Sequence, residues 1–509
     1  MKIIKKTKNM KKITGFLLLS IILISGLYSQ NGTRLIGFDA KTTGRGGVST
    51  GFFDNTSLLM TNPAGISFLK ENMLEADFSM MLPKLKFTNS INNAVGNSNS
   101  YPLPSLGVTY TPKKSKLTLG LGFFTNGGMG SDFKLNHQLF KDQNGNYIQQ
   151  EYFSKFAVMQ GGPSLSYKFS KNFSAGFSAH VYYSMMDFRM PYSLSPNELK
   201  GVVNPQTGMT FGQMFSAPQS QGGLGYSEVT AYANMSDLTA FGFGGKIGLA
   251  YKINEMFSLG LSYTLPVDLT YKNGKADMDM TYQMNDAFGR VVMGYMTNYP
   301  GITQQQAMDS AMNAFSQMGI DLSLGAKASY DLENKLSMPQ QISFGFSYAA
   351  PNKKFRFGMD FEWLNWKKAF EKMELSMTGG QNANINRMMG NTGSFSLNFP
   401  LEWKDSYIIH AGGEYDFSKL FTFRLGYTYG TNPVPEETVF PVFPAIVENH
   451  VMAGGSLNFS PKFAVNFAYE MALNKELTAS NPSTIASEYN NSTSSLQTML
   501  FHLSLTWKY

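Results

Sequence analysis

Phe501-His502-Leu503-Ser504-Leu505-Thr506-Trp507-Lys508-Tyr509 changes character at every step. Phe501, Leu503, Leu505, Trp507 and Tyr509 are apolar or aromatic, and His502, Ser504, Thr506 and Lys508 between them are polar. Successive side chains of a strand point to opposite faces, so the segment is a β-strand with one greasy face and one wet face.

The same alternation recurs upstream. Phe421, Phe423, Leu425, Tyr427 and Tyr429 stand against Thr422, Arg424, Gly426 and Thr428. Phe463, Val465, Phe467, Tyr469 and Met471 oppose Ala464, Asn466, Ala468, Glu470 and Ala472. A soluble sandwich also alternates. Here, however, the apolar face is unusually aromatic and the other face carries Gly, Ser, Asn and charge, which is the division expected between lipid and a lumen. The composition has the same balance: 14% aromatic, 49 Gly, 15% charged and a mean hydropathy of −0.19. No stretch after Leu27 approaches the ~18 apolar residues of a transmembrane helix.

Fourteen such segments can be counted, from 73–88 to 495–509, the third at 116–126. Short turns near 112–115, 170–172, 252–255, 350–353, 416–419 and 460–461 alternate strictly with long loops at 89–100, 127–154, 191–236, 274–337, 379–400, 432–445 and 475–494. The expectation is an all-β fold, a transmembrane antiparallel β-barrel of about fourteen strands in a bacterial outer membrane, as a monomer. Short turns on the periplasmic side put both termini there. The aromatic final residue, Tyr509, resembles the terminal signal read by barrel-assembly machinery.

Three regions divide the chain. Residues 1–30 read as a signal peptide: a basic start with Lys2, Lys5, Lys6, Lys8, Lys11 and Lys12, an apolar run over 13–27, then the small residues Ser25, Gly26 and Ser29. Residues 31–72 are turn-rich and read as a hatch folded into the lumen. Residues 73–509 are the barrel. Six of the 42 Lys and Arg lie in the leader, leaving 36 bases against 35 acids. The basic balance of the whole chain therefore gives no warrant for a nucleic-acid partner.

Enzymatic chemistry finds no support. There is no Cys, so disulfides, thiolate metal sites and thiol nucleophiles are excluded. His137, His180, His410, His450 and His502 are too far apart in sequence for a His-x-x-x-His metal pair. No Gly-x-Ser-x-Gly elbow or phosphate loop occurs, and Gly242, Gly244 and Gly248 around Lys246 fit a strand's lumen face better than a nucleotide loop. No enzyme, cofactor or metal is expected.

Four features are candidates for function. Asn62-Pro63-Ala64 is a stiff turn that cannot join a sheet ladder at Pro63, and it is a candidate working end of the hatch. Period-two phasing points Lys246, Arg356 and Arg424 inward, where they could meet a ligand carboxylate or form structural ion pairs. Gly127 and Gly128 could bend the third strand and open the wall, or simply begin a loop. Met308, Met312 and Phe315 share one face of a helix whose start has the capping-box pair Thr303 and Gln306. They could form an adaptable external patch for an apolar ligand, or pack on the barrel rim.

The ordered set Gly44-Arg45-Gly46-Gly47, Asp54, Asn62-Pro63-Ala64-Gly65-Ile66, Ser337-Met338-Pro339, Trp403-Lys404-Asp405 and Phe423-Arg424-Leu425-Gly426-Tyr427 resembles the outer-membrane long-chain fatty acid transporters, the FadL/TodX-type channels for hydrophobic compounds. The resemblance implies a fourteen-stranded barrel with an N-terminal hatch. It also implies passive capture of an apolar ligand past lipopolysaccharide at an external groove, transfer to a lumen site, and release sideways into the bilayer. Gly46 stands where the family has alanine, and the lumen-site residues follow no linear motif. Long-chain fatty acids are the expected ligand. Aromatic hydrocarbons, or a surface adhesin or receptor that transports nothing, are the alternatives.

Overall fold

The computed structural model describes residues 32–390, 392–480 and 485–509; the expected signal peptide at 1–30 lies outside the described residues. Fourteen wall strands are present among them. They are β1 Met73–Asn89, β2 Tyr101–Tyr110, β3 Leu117–Leu135, β4 Gln150–Lys168, β5 Phe173–Leu194 and β6 Val229–Lys252. Four two-part strands follow: β7 Phe257–Thr264 with Val267–Asp279, β8 Lys327–Met338 with Gln341–Ala349, β9 Phe355–Leu364 with Lys372–Thr378, and β10 Phe395–Pro400 with Ser406–Asp416. The last are β11 Phe421–Gly430, β12 Asn449–Asn458, β13 Phe463–Thr478 and β14 Thr493–Lys508. Each pairs antiparallel with its neighbours, and β14 pairs back onto β1 from Met73↔Lys508 to Thr88↔Thr493. Closure leaves the wall without a free edge, which a sheet in hydrocarbon requires because no water can satisfy one.

The strand count agrees with the sequence, but several strands run farther than their aromatic faces suggested. β3 continues to Leu135 rather than ending at 126, and β7 and β8 climb to Asp279 and Lys327. In these upper parts the outer face is no longer aromatic. It carries cross-strand polar pairs: Lys275 to Asp331 at 2.5 Å, Ser329 to Asp277 at 2.5 Å and Ser337 to Asp268 at 2.8 Å. Pairing therefore outlasts the lipid. Lower down the outer face is greasy, with Phe243 79% exposed and Phe241 66%.

β7 to β10 all break at one level, around Pro266, Pro339, Trp366 and Trp403. Proline has no N–H to give a ladder and explains two of the breaks. In β9 the helical turn Trp366–Ala369 intervenes, and Trp366, Phe370 and Trp403 pack together with ring centroids 4.5–5.3 Å apart. The three rings are buried and form a pinch in the lumen at this level.

The hatch fills the lumen below the pinch. It holds two short helices, α1 Ala40–Gly44 and α2 Leu58–Thr61, and a 3-10 turn at Pro63–Phe68. Asp39 caps α1 by accepting from the Lys41 and Thr42 N–H groups. Arg45, wholly buried, forks onto Asp54 at 2.7 and 2.8 Å, donates to the Val48 carbonyl and lies 3.9 Å over the Phe52 ring. The wall's carboxylates take the hatch's donors. Glu75 binds the Lys41 ammonium and the Thr56 N–H, and Asp360 takes the Ser49 and Thr50 N–H groups at 2.7 Å each.

Long loops close the other end. There the Glu488 carboxyl accepts from the Tyr152 hydroxyl at 2.7 Å and lies 3.7 Å from His137. Burial pushes Glu488 up to about 8, although the Tyr152 hydrogen bond acts the other way. A raised folded value means that this group favours the closed cap fully below the free carboxyl value of about 4.3. That preference is lost as pH rises through about 8. Protease protection of the 485–492 segment should thus fall between pH 5 and 8.5 in the wild type. In Glu488→Gln that fall should be absent.

Candidate functional site

The pocket at the pinch is built by both the wall and the hatch. Thr264, Met338, Pro339, Gln341, Leu364 and Trp366 come from the broken strands, Lys246 from β6, and Arg34, Phe38 and Met60 from the hatch. Arg34 pairs with Glu362 at 2.5 Å. Lys246 is 3% exposed, and no carboxylate among the described residues lies within ion-pair distance of it. Glu362 acts on Lys246 only from beyond ion-pair distance, so the ammonium is incompletely compensated in a buried place, which is costly. Toward the long-loop end a second pocket is wholly apolar: Phe188, Met190, Tyr192, Met235, Leu375 and Phe399 are among its lining. The two cavities, about 20 and 30 Å³, mark an apolar and a cationic level of the lumen.

Beside the cationic chamber the wall is defective. The β2–β3 ladder stops at Ser105↔Phe124, where Pro102 and Pro104 offer no N–H. β3 bulges at Asn126, and Gly127 and Gly128 resume the pairing to β4. One strand farther on, the β4–β5 ladder skips Gly162 and Pro163. Hatch residues 33–35 patch the bulge from inside. Leu35 N–H donates to the Asn126 carbonyl at 3.1 Å, and Gly128 N–H to the Thr33 carbonyl at 2.9 Å. On the lipid side of the same strands lies an apolar hollow of about 390 Å³ lined by Leu106, Leu121, Phe123, Val181 and Tyr183. Gln160 lines both this hollow and the cationic chamber. Its amide is held by Asn126 at 2.8 Å, the Met60 sulfur at 2.9 Å and His180 at 3.3 Å.

Asn62-Pro63-Ala64 docks against β5 and β6. The Asn62 amide donates to the Thr50 and Leu249 carbonyls at 2.9 and 3.0 Å, and its oxygen caps the following turn at Ala64 N–H. The Ala64 carbonyl accepts from Ser166 and Ser174. The wall is glycine at this point because the turn presses on it. A Cβ on Gly248 would sit 2.1 Å from the Asn62 oxygen, and one on Gly176 would sit 2.5 Å from Ala64 N.

The other candidates scatter. Arg356 and Arg424 point inward but meet in one ion-pair cluster on Glu414, at 2.8 and 2.7 Å, near the short-turn end and away from Lys246. Neither is free for a ligand. Gly127 and Gly128 lie inside β3 rather than at the start of a loop. The helices α3 Thr281–Asn298 and α4 Gln304–Gln317 form a hairpin in the long loop. On α4, Ala307, Ala311 and Phe315 are buried, and Met308 packs partly against the same cluster as the two alanines, because close helix contact selects small residues. Met312 is exposed and Met308 half-buried. Arg34 and Gln160 were not singled out in the sequence. Alternation along β4 does turn Gln160 inward, but the place of Arg34 depends on how the hatch folds.

Residues 21–509 match the model of a protein family described as outer membrane protein transport protein (OMPP1/FadL/TodX). The chain belongs to that family. It is accordingly an outer-membrane β-barrel of a transport family for hydrophobic compounds, not of an enzyme family. Solved members share its fold at low identity. The toluene transporter TodX of Pseudomonas putida is 17% identical, with 94% of this chain and 100% of that one covered and a TM-score of 0.65. A Pseudomonas aeruginosa FadL homologue gives 16%, 94% and 99%, and 0.66. The Ralstonia pickettii toluene transporter TbuX gives 17%, 93% and 99%, and 0.63. An uncharacterized Chlorobium limicola protein is 29% identical over 100 residues, 19% of this chain and 48% of its own length, so the chain spans about half of that curated relative.

Two substitutions probe the hatch in this FadL/TodX-family barrel. A Cβ on Gly127 would fall 2.0 Å from the Thr33 carbonyl oxygen, so Gly127→Val should expel residues 33–35 and make them protease-sensitive in a still-folded barrel. Asn62→Ala loses the tie to β6 and should loosen the turn by about 1–3 kcal/mol. Leakage of a small dye through reconstituted protein should rise accordingly, and unchanged leakage would make the motif a turn only.

Proposed function

We propose that this barrel passively admits long-chain fatty acids across the outer membrane and releases them sideways into the bilayer. The observation that carries the proposal is the pairing of two cavities through Gln160: a cationic chamber inside the wall and an apolar hollow outside it. The ligand enters from the long-loop end, where α3 and α4 and their exposed Met293, Met296 and Met312 form the capture surface. The acyl chain lies among Phe188, Met190, Met235 and Phe399, and the carboxylate meets Lys246 beside Arg34. Displacing Gln160 and hatch residues 33–35 then opens the wall at the β3 bulge, with Asn62-Pro63-Ala64 as the pivot. This route keeps apolar surface out of water at each stage, which is its thermodynamic advantage over a water-filled pore.

The long-loop end faces outward through the lipopolysaccharide leaflet and both termini face the periplasm. Residues 31–72 act as the hatch and 73–509 as the barrel, exported on the leader 1–30, inserted by barrel-assembly machinery and working as a monomer. Uptake of aromatic hydrocarbons is the second reading. It is favoured by the two solved relatives described as toluene transporters, and by the wholly apolar upper pocket.

Uptake into proteoliposomes separates the two. Lys246→Met should lower oleate uptake at limiting concentration by roughly tenfold, the worth of one charge-assisted hydrogen bond. Toluene flux should stay within twofold. Equal loss of both would make Lys246 structural, and toluene flux without oleate flux in the wild type would favour the second reading.

A further inference from the structure

The charge of this protein is sorted by level. The residues at and beside the six short turns and the barrel's two chain ends (70–72, 111–116, 168–172, 252–256, 350–354, 416–420, 458–462 and 508–509) hold twelve lysines and three acids. That leaves 24 bases against 32 acids elsewhere in residues 31–509. Every short turn contributes: Lys113, Lys171, Lys252, Lys353, Lys419 and Lys462. The acids are Glu71, Glu255 and Asp416, and Asp416 is already held by Arg356. Solubility at a neutral rim does not require such a bias, and like charges repel one another.

The rim also has a built groove. Between the β10–β11 and β12–β13 turns lies a cavity of about 530 Å³. Lys419, Lys462 and Lys508 stand around it, and Leu420, Phe459 and Phe463 form an apolar side. Leu420 is 53% and Phe459 62% exposed on the lipid-facing surface. Among the described residues neither Lys419 nor Lys462 has a carboxylate at ion-pair distance, and Lys508 has only Glu71 at 3.9 Å. Through Lys419, Lys508 and Thr506 the groove is continuous with a polar chamber of about 630 Å³ reaching Asp54 and Arg356 beneath the hatch.

We propose that this groove holds the headgroup of an anionic phospholipid from the leaflet at the short-turn end. The three lysines take the phosphate, and the acyl chains lie along Leu420, Phe459 and Phe463. The groove's chemistry selects this occupant over a soluble anion: cations at the mouth offer charge complementarity, and the apolar side opens on the lipid-facing wall. Basic groups at an anionic leaflet add attraction in a roughly additive way. The site is independent of what the lumen carries.

Native mass spectrometry of detergent-solubilised protein tests it, with phosphatidylglycerol and phosphatidylcholine of identical acyl chains titrated separately. The expected result is a single phosphatidylglycerol adduct at concentrations where phosphatidylcholine gives none. In the Lys419→Gln, Lys462→Gln, Lys508→Gln variant its affinity should fall by roughly tenfold or more. A control with Lys134→Gln, Lys200→Gln and Lys335→Gln, at the other end of the barrel, should bind like the wild type. All three rim positions are at the surface, and heat-dependent gel mobility reports whether each variant keeps its barrel. Equal binding of both lipids, an unchanged adduct in the rim variant, or displacement of the lipid by equimolar glycerol phosphate would each overturn the proposal, the last because it marks a small-anion site.

Discussion

Burying charge on the inner face of a closed barrel is the constraint on which the rest depends. Water cannot solvate a carboxylate sealed between wall and plug, and a buried ion that loses its partner costs about 3–5 kcal/mol. Among the described residues five buried wall carboxylates are met by the hatch: Glu75 by Lys41, Asp77 by the Ala40 N–H, Asp360 by the Ser49 and Thr50 N–H groups, Glu362 by Arg34 and Glu414 by Arg45 at 3.7 Å, while Glu470 is met within the wall by His450 and His502. Hatch and wall therefore specify each other. Withdrawing the whole hatch would remove all five contacts at once, leaving Glu414 only its wall partners Arg356 and Arg424, so a local opening costs least; residues 33–35 carry one of the five, Arg34 to Glu362.

Glycine is the steric counterpart of that pairing. For backbone donors to reach the wall, the wall must have no Cβ in the way. Arg45 and Gly46 press on Gly412 and Gly426, where an added methyl would lie 2.1 and 1.9 Å from hatch atoms. Thr50 does the same at Gly260, and Pro63 and Ala64 at Gly176. Gly46 itself is at φ +73, a conformation an alanine side chain would strain, so glycine suits that position. Many lumen glycines are thus contact points rather than flexible joints.

How much of this was legible in the sequence follows from the range of each force. The strands and their number were legible because lipid on one side and lumen on the other write a period of two into every segment. Their true length was not, since above the lipid the outer face of β7 and β8 turns to Lys275, Asp277 and Asp331 and loses its aromatic mark. The inward direction of Lys246, Arg356 and Arg424 was legible from the same period. Which of them is paired was not: Glu414 gathers Arg356 and Arg424 from neighbouring strands, and only the barrel's register brings the three together. The fit of α4 against its neighbour was not legible, because Met and Phe dominate a sequence pattern whereas helix contact distance is set by Ala307 and Ala311.

The remaining tension lies in the lumen, where a greasy chamber leads to a charge. Burying an acyl chain in the upper pocket gains roughly 0.8 kcal/mol for each methylene removed from water. A plain hydrocarbon collects that gain but leaves the Lys246 ammonium as it was. An amphiphile with an anionic head collects it too and in addition supplies the missing counter-charge, at a depth where an ion pair is screened little. The order of the chambers then fixes orientation, because only the head-first pose brings both gains at once. In that pose the head arrives beside Gln160, which is held by Asn126 of the bulged strand and Met60 of the hatch. On the proposed route a charge placed there would compete for the Gln160 amide, which lines both cavities. Ligand arrival and wall opening would then be coupled through a single side chain, with the wall carboxylates other than Glu362 left in place.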